Sequence, residues 1–345
     1  MSTQAPSAVR LEQMIFGYVA TQLVHVSARS GLVDALAEPL TLHDLAAALG
    51  LDRRRLERIL RGLGMLGLIT ESPDGRFALT AEGARLRRDA PSSLWRLALV
   101  NGEILYRAWG SMATSLGPGP PAFDRAFGVP YYRYLDVHPE AGALFDRQMA
   151  MSAPQIAQRV LGAFAWPPRA RVVDVGGGEG GLLGWLLAAR PDLTGIVFDH
   201  PRVAEAARQH LRALGLEGRC EVRAGSFFEA VPAGGDVYLL SRILSDWDDA
   251  DAGRLLRSCR GAMTASARLL VLDGLEEQAR WTPGEIQSDL TVLALLGGYK
   301  RSRADYAGLL EAAAFRLEAA TDTEGPLSLL EARPVEDRGG DVSGS

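Results

Sequence analysis

The sequence predicts an α/β protein, with a doubly wound, mostly parallel sheet behind an all-helical N-terminal domain that contains a winged helix. From residue 170 onward, short apolar strands alternate with helical segments. This alternation is typical of a parallel sheet with helices on both faces. Before residue 165, apolar residues recur at helical spacing and only one short hairpin interrupts them.

Composition excludes several other classes of protein. Of the 345 residues, 47% are hydrophobic and 23% are charged, with a formal net charge of −5. These proportions are those of a soluble globular protein, and the mild acidity argues against nucleic acid as a partner. No apolar run approaches the ~18 residues that a membrane span needs, so we expect no membrane partner. The N-terminus shows no export signal, so the expected location is cytoplasmic.

Neither the cysteines nor the histidines predict a metal site. Cys220 and Cys259 lie far apart and form no CxxC pair. The histidines show none of the spacings at which protein ligands hold a metal ion. We therefore predict no bound metal.

The first half of the chain predicts two helical regions. Helices over 42–49 and 52–66, followed by a hairpin over 67–79, form a winged-helix pattern. Together with the amphipathic stretch over 11–38 and a further helix predicted over 95–112, this pattern defines an N-terminal domain at 1–112. Residues 113–165 form a helical linker, with further helical patterns that include one over 139–164.

The second half predicts the sheet. The predicted strands are 171–175, 194–199, 220–224, 237–241 and 268–272, with helices between them. We assign residues 166–335 to this domain. The tail at 336–345 is polar and glycine-rich, and we expect it to be disordered.

A glycine run marks the end of the first strand of this domain. The segment VVDVGGGEGG at 172–181 leads from a strand into a helix. Glycines there let the backbone approach a ligand closely, and the helix N-terminus favours an anionic group. Asp199 closes the next strand, where a carboxylate can accept hydrogen bonds from ribose hydroxyls. The alternative for the glycine run is a plain strand-to-helix turn, and the alternative for Asp199 is a helix-capping role.

Five segments in order carry a resemblance to a known family. The segment DVGGGEG at 174–180 resembles motif I of the S-adenosylmethionine-dependent O-methyltransferases of the caffeate/hydroxyindole type, which include many bacterial natural-product enzymes. The other segments are FDHP at 198–201, AGSFF at 224–228, LLSRILSDWDD at 239–249, and 289–298 with the helix that follows it. The resemblance covers residues 11–333.

The resemblance implies a class I methyltransferase fold whose N-terminal domain dimerises and caps a substrate cavity between the domains. It implies a homodimer that uses S-adenosyl-L-methionine to methylate a hydroxyl of an aromatic or polyketide-like small molecule in bacterial secondary metabolism. The implied cofactor-binding residues are Gly176, Gly178, Asp199, Ser226, Phe227, Ser241 and Arg242. Phe145 and Met149 resemble the family's pocket wall, although their i, i+4 spacing also fits a helix core.

The sequence departs from the family where the acid–base chemistry is expected. Ser245 occupies the position of the usual catalytic histidine, and Lys300 replaces the acidic residue that orients this histidine. Ser226 stands where the family usually has Asp at the adenosine. Serine near neutral pH is no general base without an activator of its own. The usual acid–base pair is therefore missing.

These departures leave several catalytic hypotheses. The enzyme could position a hydroxyl that is already acidic. Lys300 would then stabilise the oxyanion, and the pH–rate profile would show no ionisation of a protein base near pH ~6.5. Asp289 could be a substitute base, or it could be a solvated carboxylate.

Two further functions remain open from the sequence. The fold could be repurposed for hydroxylation, decarboxylation or cyclisation with the cofactor left intact. A winged-helix regulator is the alternative outside enzymology. Residues 41–90 hold nine arginines against seven acidic residues, a weak footprint for a DNA-binding domain.

Overall fold

The computed structural model describes residues 8–277, 281–323 and 325–335 of the chain. They belong to two compact units that divide between Gly110 and Ser111. The predicted tail at 336–345 lies outside the described residues. None of the described helices combines the length and the hydropathy that a bilayer span requires.

The first unit is helical apart from one small sheet. Its helices and strands are α1 (Ala8–Ile15), α2 (Gly17–Arg29), α3 (Leu32–Ala35), β1 (Leu40–Thr41), α4 (Leu42–Leu49), α5 (Arg53–Met65), β2 (Ile69–Glu71), β3 (Arg76–Leu79), α6 (Ala81–Ala84), α7 (Trp95–Val100), a π helix (Asn101–Leu105) and α8 (Tyr106–Trp109). The strands form an antiparallel sheet in the order β1-β3-β2.

The winged-helix pattern follows from local sequence. The Thr41 side chain accepts a hydrogen bond from the Asp44 N–H at 3.2 Å, which caps α4. Gly50 ends the same helix with a φ of +64°, a conformation that favours glycine. Leu45, Leu56 and their neighbours bury the faces of α4 and α5 in one core. The predicted helix over 42–49 is confirmed.

Two long helices predicted from the sequence are interrupted. The helix predicted over 95–112 passes through a π turn, where Gln22 donates a hydrogen bond to the Gly102 carbonyl at 2.8 Å. The helix predicted over 139–164 divides at Met151 and Ser152. Pro154, at the start of the second part, lacks the N–H that would continue the first.

The second unit holds the large sheet. Its helices and strands are a 3₁₀ helix (Met112–Leu116), α9 (Ala122–Phe127), α10 (Tyr131–Val137), α11 (Pro139–Ala150), α12 (Ala153–Ala163), β4 (Arg171–Val175), α13 (Gly181–Ala189), β5 (Thr194–Asp199), α14 (Pro201–Ala213), β6 (Cys220–Ala224), β7 (Val237–Ser241), a second 3₁₀ helix (Leu244–Asp246), α15 (Asp249–Ala262), β8 (Arg268–Asp273), α16 (Pro283–Leu296), α17 (Arg303–Ala312), β9 (Phe315–Asp322) and β10 (Ser328–Pro334).

The strand order confirms the doubly wound fold. It runs β6-β5-β4-β7-β8-β10-β9, with parallel pairs from β6 to β8. The last two strands, which the sequence analysis did not predict, pair antiparallel. The chain winds outward from β4 through β5 and β6, then resumes at β7 on the other side of β4. The carboxyl ends of β4 and β7 therefore flank the switch point, where such sheets bind ligands.

The strands are apolar on both faces. Tyr238 and Leu240 of β7 belong to the core on one side of the sheet, and Leu239 belongs to the core on the other. All three are fully buried. Helices therefore cover both faces, and the carboxyl edge of the sheet remains for a site.

Candidate active site

A glycine turn joins β4 to α13 at the switch point. Gly176 and Gly178 have φ angles of +77° and +57°, which favour glycine over L side chains. A Cβ atom on Gly176 would lie 2.5 Å from Cδ1 of Ile243. At Gly178 the same position is open, and this residue lines a cavity of about 320 Å³. The turn thus presents bare backbone to a ligand.

Asp199 lies at the carboxyl end of β5 and lines the same cavity. Its Oδ2 accepts a hydrogen bond from the Gly178 N–H at 2.7 Å, and its Oδ1 accepts one from the His200 N–H at 2.6 Å. Each carboxylate oxygen retains acceptor capacity for a ligand hydroxyl. Burial raises the pKa of Asp199 above its usual value. The carboxylate therefore fixes the glycine turn and can still bind a diol.

Ser241 is the last residue of β7 and Arg242 follows it, and both line the cavity. Arg242 has a φ of +58°, and strain of this kind concentrates at functional sites. One guanidinium nitrogen, Nη2, donates to the Met149 carbonyl at 3.3 Å. Ser241 Oγ and Arg242 Nε are buried without a hydrogen-bond partner among the described residues. Buried polar atoms of this kind normally have a partner, and here a ligand can supply it.

Ser226 and Phe227 form a further part of the lining. Ser226 Oγ accepts a hydrogen bond from the Phe228 N–H at 3.3 Å. The Phe227 ring meets that of Trp247 edge-on, with 6.0 Å between the centroids. This pair of residues supplies one hydroxyl group and one aromatic face.

An aromatic wall lines the cavity beside the glycine turn. The rings of Tyr132 and Trp247 stack with 5.7 Å between their centroids and 24° between their planes. Phe145 meets Tyr132 edge-on at 6.2 Å, and Met149 also lines the cavity. Such a wall suits a planar aromatic ligand.

Acidic side chains outnumber basic ones around the cavity. The lining arginines are Arg202 and Arg242, and the lining carboxylates are Asp136, Asp146, Asp174, Glu179, Asp199 and Asp246. Arg202 is already engaged, because its Nη2 lies 3.0 Å from Asp146 and its Nε lies 3.6 Å from Asp136. The resulting excess of negative charge favours a ligand that carries positive charge.

Asp246 is a cavity carboxylate that the sequence analysis passed over. The Tyr132 hydroxyl donates a hydrogen bond to its Oδ2 at 2.6 Å. The pKa of Asp246 is raised to about 7, because burial and the charge of Asp273 raise it by more than the Tyr132 hydrogen bond and the Arg242 charge lower it. Its position in the segment that follows the parallel strand β7 was the one available signal.

The Ser245 side chain is buried and already hydrogen-bonded, which does not favour a role in acid–base catalysis. It is 8% exposed, its Oγ donates to Oδ1 of Asp273 at 2.8 Å, and its N–H donates to Oδ2 at 3.1 Å. Asp273 is buried as well, and the sequence analysis did not single it out. This pair ties the loop after β7 to the end of β8.

The other two predicted catalytic residues lie outside the cavity lining. The Lys300 Nζ lies 4.1 Å from the ring centroid of Trp281. Asp289 is half-buried on α16. The described residues that line the cavity include neither of them, nor Ser245, whereas all nine predicted cofactor and pocket-wall residues are present there. The catalytic roles of Ser245, Lys300 and Asp289 stay predictions.

The residues present fit S-adenosylmethionine. The glycine turn leaves room for a close ligand, Asp199 can accept from ribose hydroxyls, and the acidic lining suits a sulfonium. The unpartnered Nε of Arg242 offers one more donor, and the unpartnered Oγ of Ser241 offers one more acceptor. Within the described part of the chain, no group of three or more His, Cys, Asp or Glu could hold a metal ion.

Comparison with known proteins agrees with this fit. The family profile of the O-methyltransferase domain matches residues 109–316, and that of the O-methyltransferase dimerisation domain matches residues 12–88. Phenazine O-methyltransferase PhzM of Lysobacter antibioticus is 38% identical over 331 residues, which cover 96% of this chain and 97% of that protein.

Solved structures show the same similarity. The mitomycin 7-O-methyltransferase MmcR superposes with a TM-score of 0.87 at 35% identity, over 94% of this chain and 97% of that one. The O-methyltransferase NcsB1 from neocarzinostatin biosynthesis, solved with S-adenosyl-L-homocysteine and 1,4-dihydroxy-2-naphthoic acid, gives 0.82 at 32% identity, over 92% and 96%. The chain belongs to the family of S-adenosylmethionine-dependent O-methyltransferases.

Proposed function

We propose that this methyltransferase acts on an acidic hydroxyl of a planar aromatic molecule and that no histidine serves as its base. The observation that carries the proposal is Ser245 at the usual histidine position, with its hydroxyl donated to Asp273 at 2.8 Å. Serine is no general base near neutral pH, and Ser245 is not among the described residues that line the cavity.

Orientation can supply most of the acceleration for such a substrate. Bound S-adenosylmethionine supplies an electrophilic methyl group, and an acidic hydroxyl is partly ionised near neutral pH. Holding that oxygen in a near-attack position can lower the barrier by about 7–11 kcal/mol. Loss of a general base costs typically 10²–10⁴-fold, and less when the nucleophile is already ionised.

The aromatic wall supports the substrate class. Tyr132, Phe145 and Trp247 offer ring faces and edges to a flat ligand. The similar protein NcsB1 was solved with a dihydroxynaphthoic acid. We infer a substrate of the same chemical kind, an aromatic ring that carries an ionisable hydroxyl.

The dimerisation domain supports a homodimer of this chain. Leu11, Met14, Ile15, Phe16 and Tyr18 are each more than half exposed. All of them except Leu11 lie within residues 12–88, which match the O-methyltransferase dimerisation domain. A second copy that covers these side chains would remove their apolar surface from water.

Labelled cofactor tests the proposed reaction. The purified protein is incubated with methyl-labelled S-adenosylmethionine and a panel of phenols, naphthols and hydroxyquinones. We expect labelled methyl ethers of the more acidic hydroxyl compounds, with one cofactor consumed for each. A product of another mass with the cofactor intact would show instead that the fold serves hydroxylation, decarboxylation or cyclisation.

A further inference from the structure

We propose that Asp246 is the catalytic residue that accepts the proton of the substrate hydroxyl, and that Tyr132 positions its carboxylate. The inference rests on the proposed function, because it assigns the destination of one proton in that same reaction. It also differs from the sequence-based hypothesis that no protein base takes part.

Placement is the first argument. Asp246 lies beside the aromatic wall in the cavity that also contains the glycine turn. Tyr132 occupies one carboxylate oxygen, Oδ2, from a distance of 2.6 Å. The bond from Tyr132 is the only hydrogen bond to this carboxylate among the described residues, so the other oxygen, Oδ1, has no partner there. One oxygen is thus held while the other is available to a ligand.

The loop that carries Asp246 is fixed from both sides. Arg301, which is 1% exposed, donates to the carbonyls of Leu244 at 2.7 Å and Trp247 at 2.8 Å. A Cβ atom on Gly298 would lie 2.6 Å from the carbonyl carbon of Asp246, so that backbone is closely packed. A catalytic carboxylate needs such support, because small displacements cost a large part of the rate.

The surrounding charges suit a base that works near neutral pH. The groups that face Asp246 are Tyr132 on α10, Arg242 after β7 and Asp273 on β8. Burial raises the pKa of Asp246 to about 7. A general base is most effective when its pKa lies near the working pH.

A competing carboxylate is less accessible. Burial also raises the pKa of Asp174 to about 7, but Asp174 is 2% exposed. A Cβ atom on Gly177 would lie 2.8 Å from its Oδ2, so the glycine turn covers this oxygen. Asp246 is only half-buried.

The proposed step transfers one proton to Asp246 and one methyl group to the acceptor oxygen. The O–H bond of the acceptor breaks, and its proton forms a new O–H bond with Oδ1 of Asp246. The acceptor oxygen keeps the electron pair and uses it for the new bond to the methyl carbon. Bound S-adenosylmethionine would supply the methyl group, with the electron pair of the broken S–C bond left on its sulfur. The protonated Asp246 returns its proton to water after product release.

The pH dependence of kcat/KM for Asp246→Asn tests the step. The acceptor is a naphthol whose own ionisation lies well above pH 7. For the wild type, we expect activity to be lost as the pH falls through about 7. In Asp246→Asn, that limb should be absent, and kcat/KM at neutral pH should fall by about 10²–10⁴-fold. Tyr132→Phe should move the limb to higher pH, because the Tyr132 hydrogen bond lowers the pKa of Asp246.

A measurement without turnover gives an independent readout. A nitrophenol chromophore is bound to the protein together with S-adenosyl-L-homocysteine, and its phenolate absorbance is followed against pH. In the wild type, we expect the phenolate absorbance to follow two coupled ionisations, because the phenol and Asp246 share a proton. In Asp246→Asn, a single ionisation should remain, since only the phenol titrates. Calorimetric binding of S-adenosyl-L-homocysteine establishes that the variant has folded.

The outcomes separate this inference from the proposed function. If Asp246→Asn keeps the wild-type profile, or if Asp289→Asn removes the limb instead, the assignment of Asp246 is wrong while methyl transfer stands. If the wild type yields no methylated product from any acidic phenol, the proposed function fails first.

Discussion

At Ser245, the side-chain partner decides the role of the residue. The hydroxyl donates to Asp273, which also accepts from the Gly274 N–H at 3.0 Å. Burial raises the pKa of Asp273, so each of these hydrogen bonds offsets a desolvation cost. Ser245 therefore stabilises the loop that carries Asp246, and it does not need to take part in proton transfer.

Ser245→Ala separates a structural role from a catalytic one. We expect a loss of about 1–3 kcal/mol in the free energy of unfolding, because Asp273 loses a donor. The ionisation seen in the pH–rate profile should not move. Ser258→Ala is the matched control, since Ser258 Oγ is buried without a partner among the described residues. This substitution breaks no hydrogen bond, so the free energy of unfolding should fall less than in Ser245→Ala. If the acidic limb of the pH–rate profile disappears in Ser245→Ala, then Ser245 and not Asp246 is the base.

Asp199→Ala tests the cofactor site. We expect binding of S-adenosyl-L-homocysteine to weaken by about 1–3 kcal/mol, the typical loss for hydrogen bonds to a charged group. The Gly178 N–H also loses its acceptor. Calorimetry measures the change, with Asp192→Ala as the control, because Asp192 also accepts a backbone N–H, from Arg169, but does not line the cavity. Equal affinities for both variants would mean that the ribose lies elsewhere.

Residue types and order point to the cofactor side of the cavity but not to Asp246. Glycines after a strand and Asp199 at the end of the next are local patterns, visible without a structure. The contact between Asp246 and Tyr132 spans 114 positions in the chain. It depends on how α10 lies against the loop after β7, which no local pattern encodes. Local sequence therefore shows that the usual base is missing but not which residue replaces it.

On the scale of elements, close backbone contacts fix the active-site loop. A Cβ atom on Gly298 would lie 2.1 Å from the Ser245 carbonyl oxygen. The segment between α16 and α17 thus packs directly against the loop after β7, and no larger residue fits without displacement.

Gly298→Ala should destabilise the protein by about 1–3 kcal/mol through overpacking and should lower turnover together with stability. Gly261→Ala is the control, because Gly261 lies in α15 with open space where its Cβ would be. That change should stabilise by about 0.4–1 kcal/mol. Thermal unfolding measures both, and equal melting temperatures would contradict the close packing.

The parallel strands were predictable and the last two strands were not. Strands β4, β5 and β7 are mostly buried, so they occur as short apolar runs between turn signals. The edge strand β9 carries Arg316, Glu318 and Asp322 along an exposed side. Its weak apolar pattern does not distinguish a strand from a loop, and pairing with β10 determines its structure.

On the scale of the whole molecule, we predict a homodimer. Light scattering at micromolar concentration should give twice the 37.0 kDa mass of one chain. Ile15→Asp should shift the mass toward one chain, because it places a charge among the exposed apolar residues of α1. Ile15 is 63% exposed, so this substitution leaves the fold of the single chain intact. A wild-type mass of one chain would contradict the prediction.

The central claim is methyl transfer to an acidic hydroxyl without a histidine base, and a series of acceptors of graded acidity tests it most directly. The ring system is kept constant while substituents change the pKa of the hydroxyl, and kcat/KM is measured at one pH with labelled cofactor. We predict that the rate falls steadily once the hydroxyl pKa exceeds the assay pH, and that an aliphatic alcohol of the same shape gives no product. Equal rates across the series, with the alcohol methylated as fast as the phenols, would contradict the account.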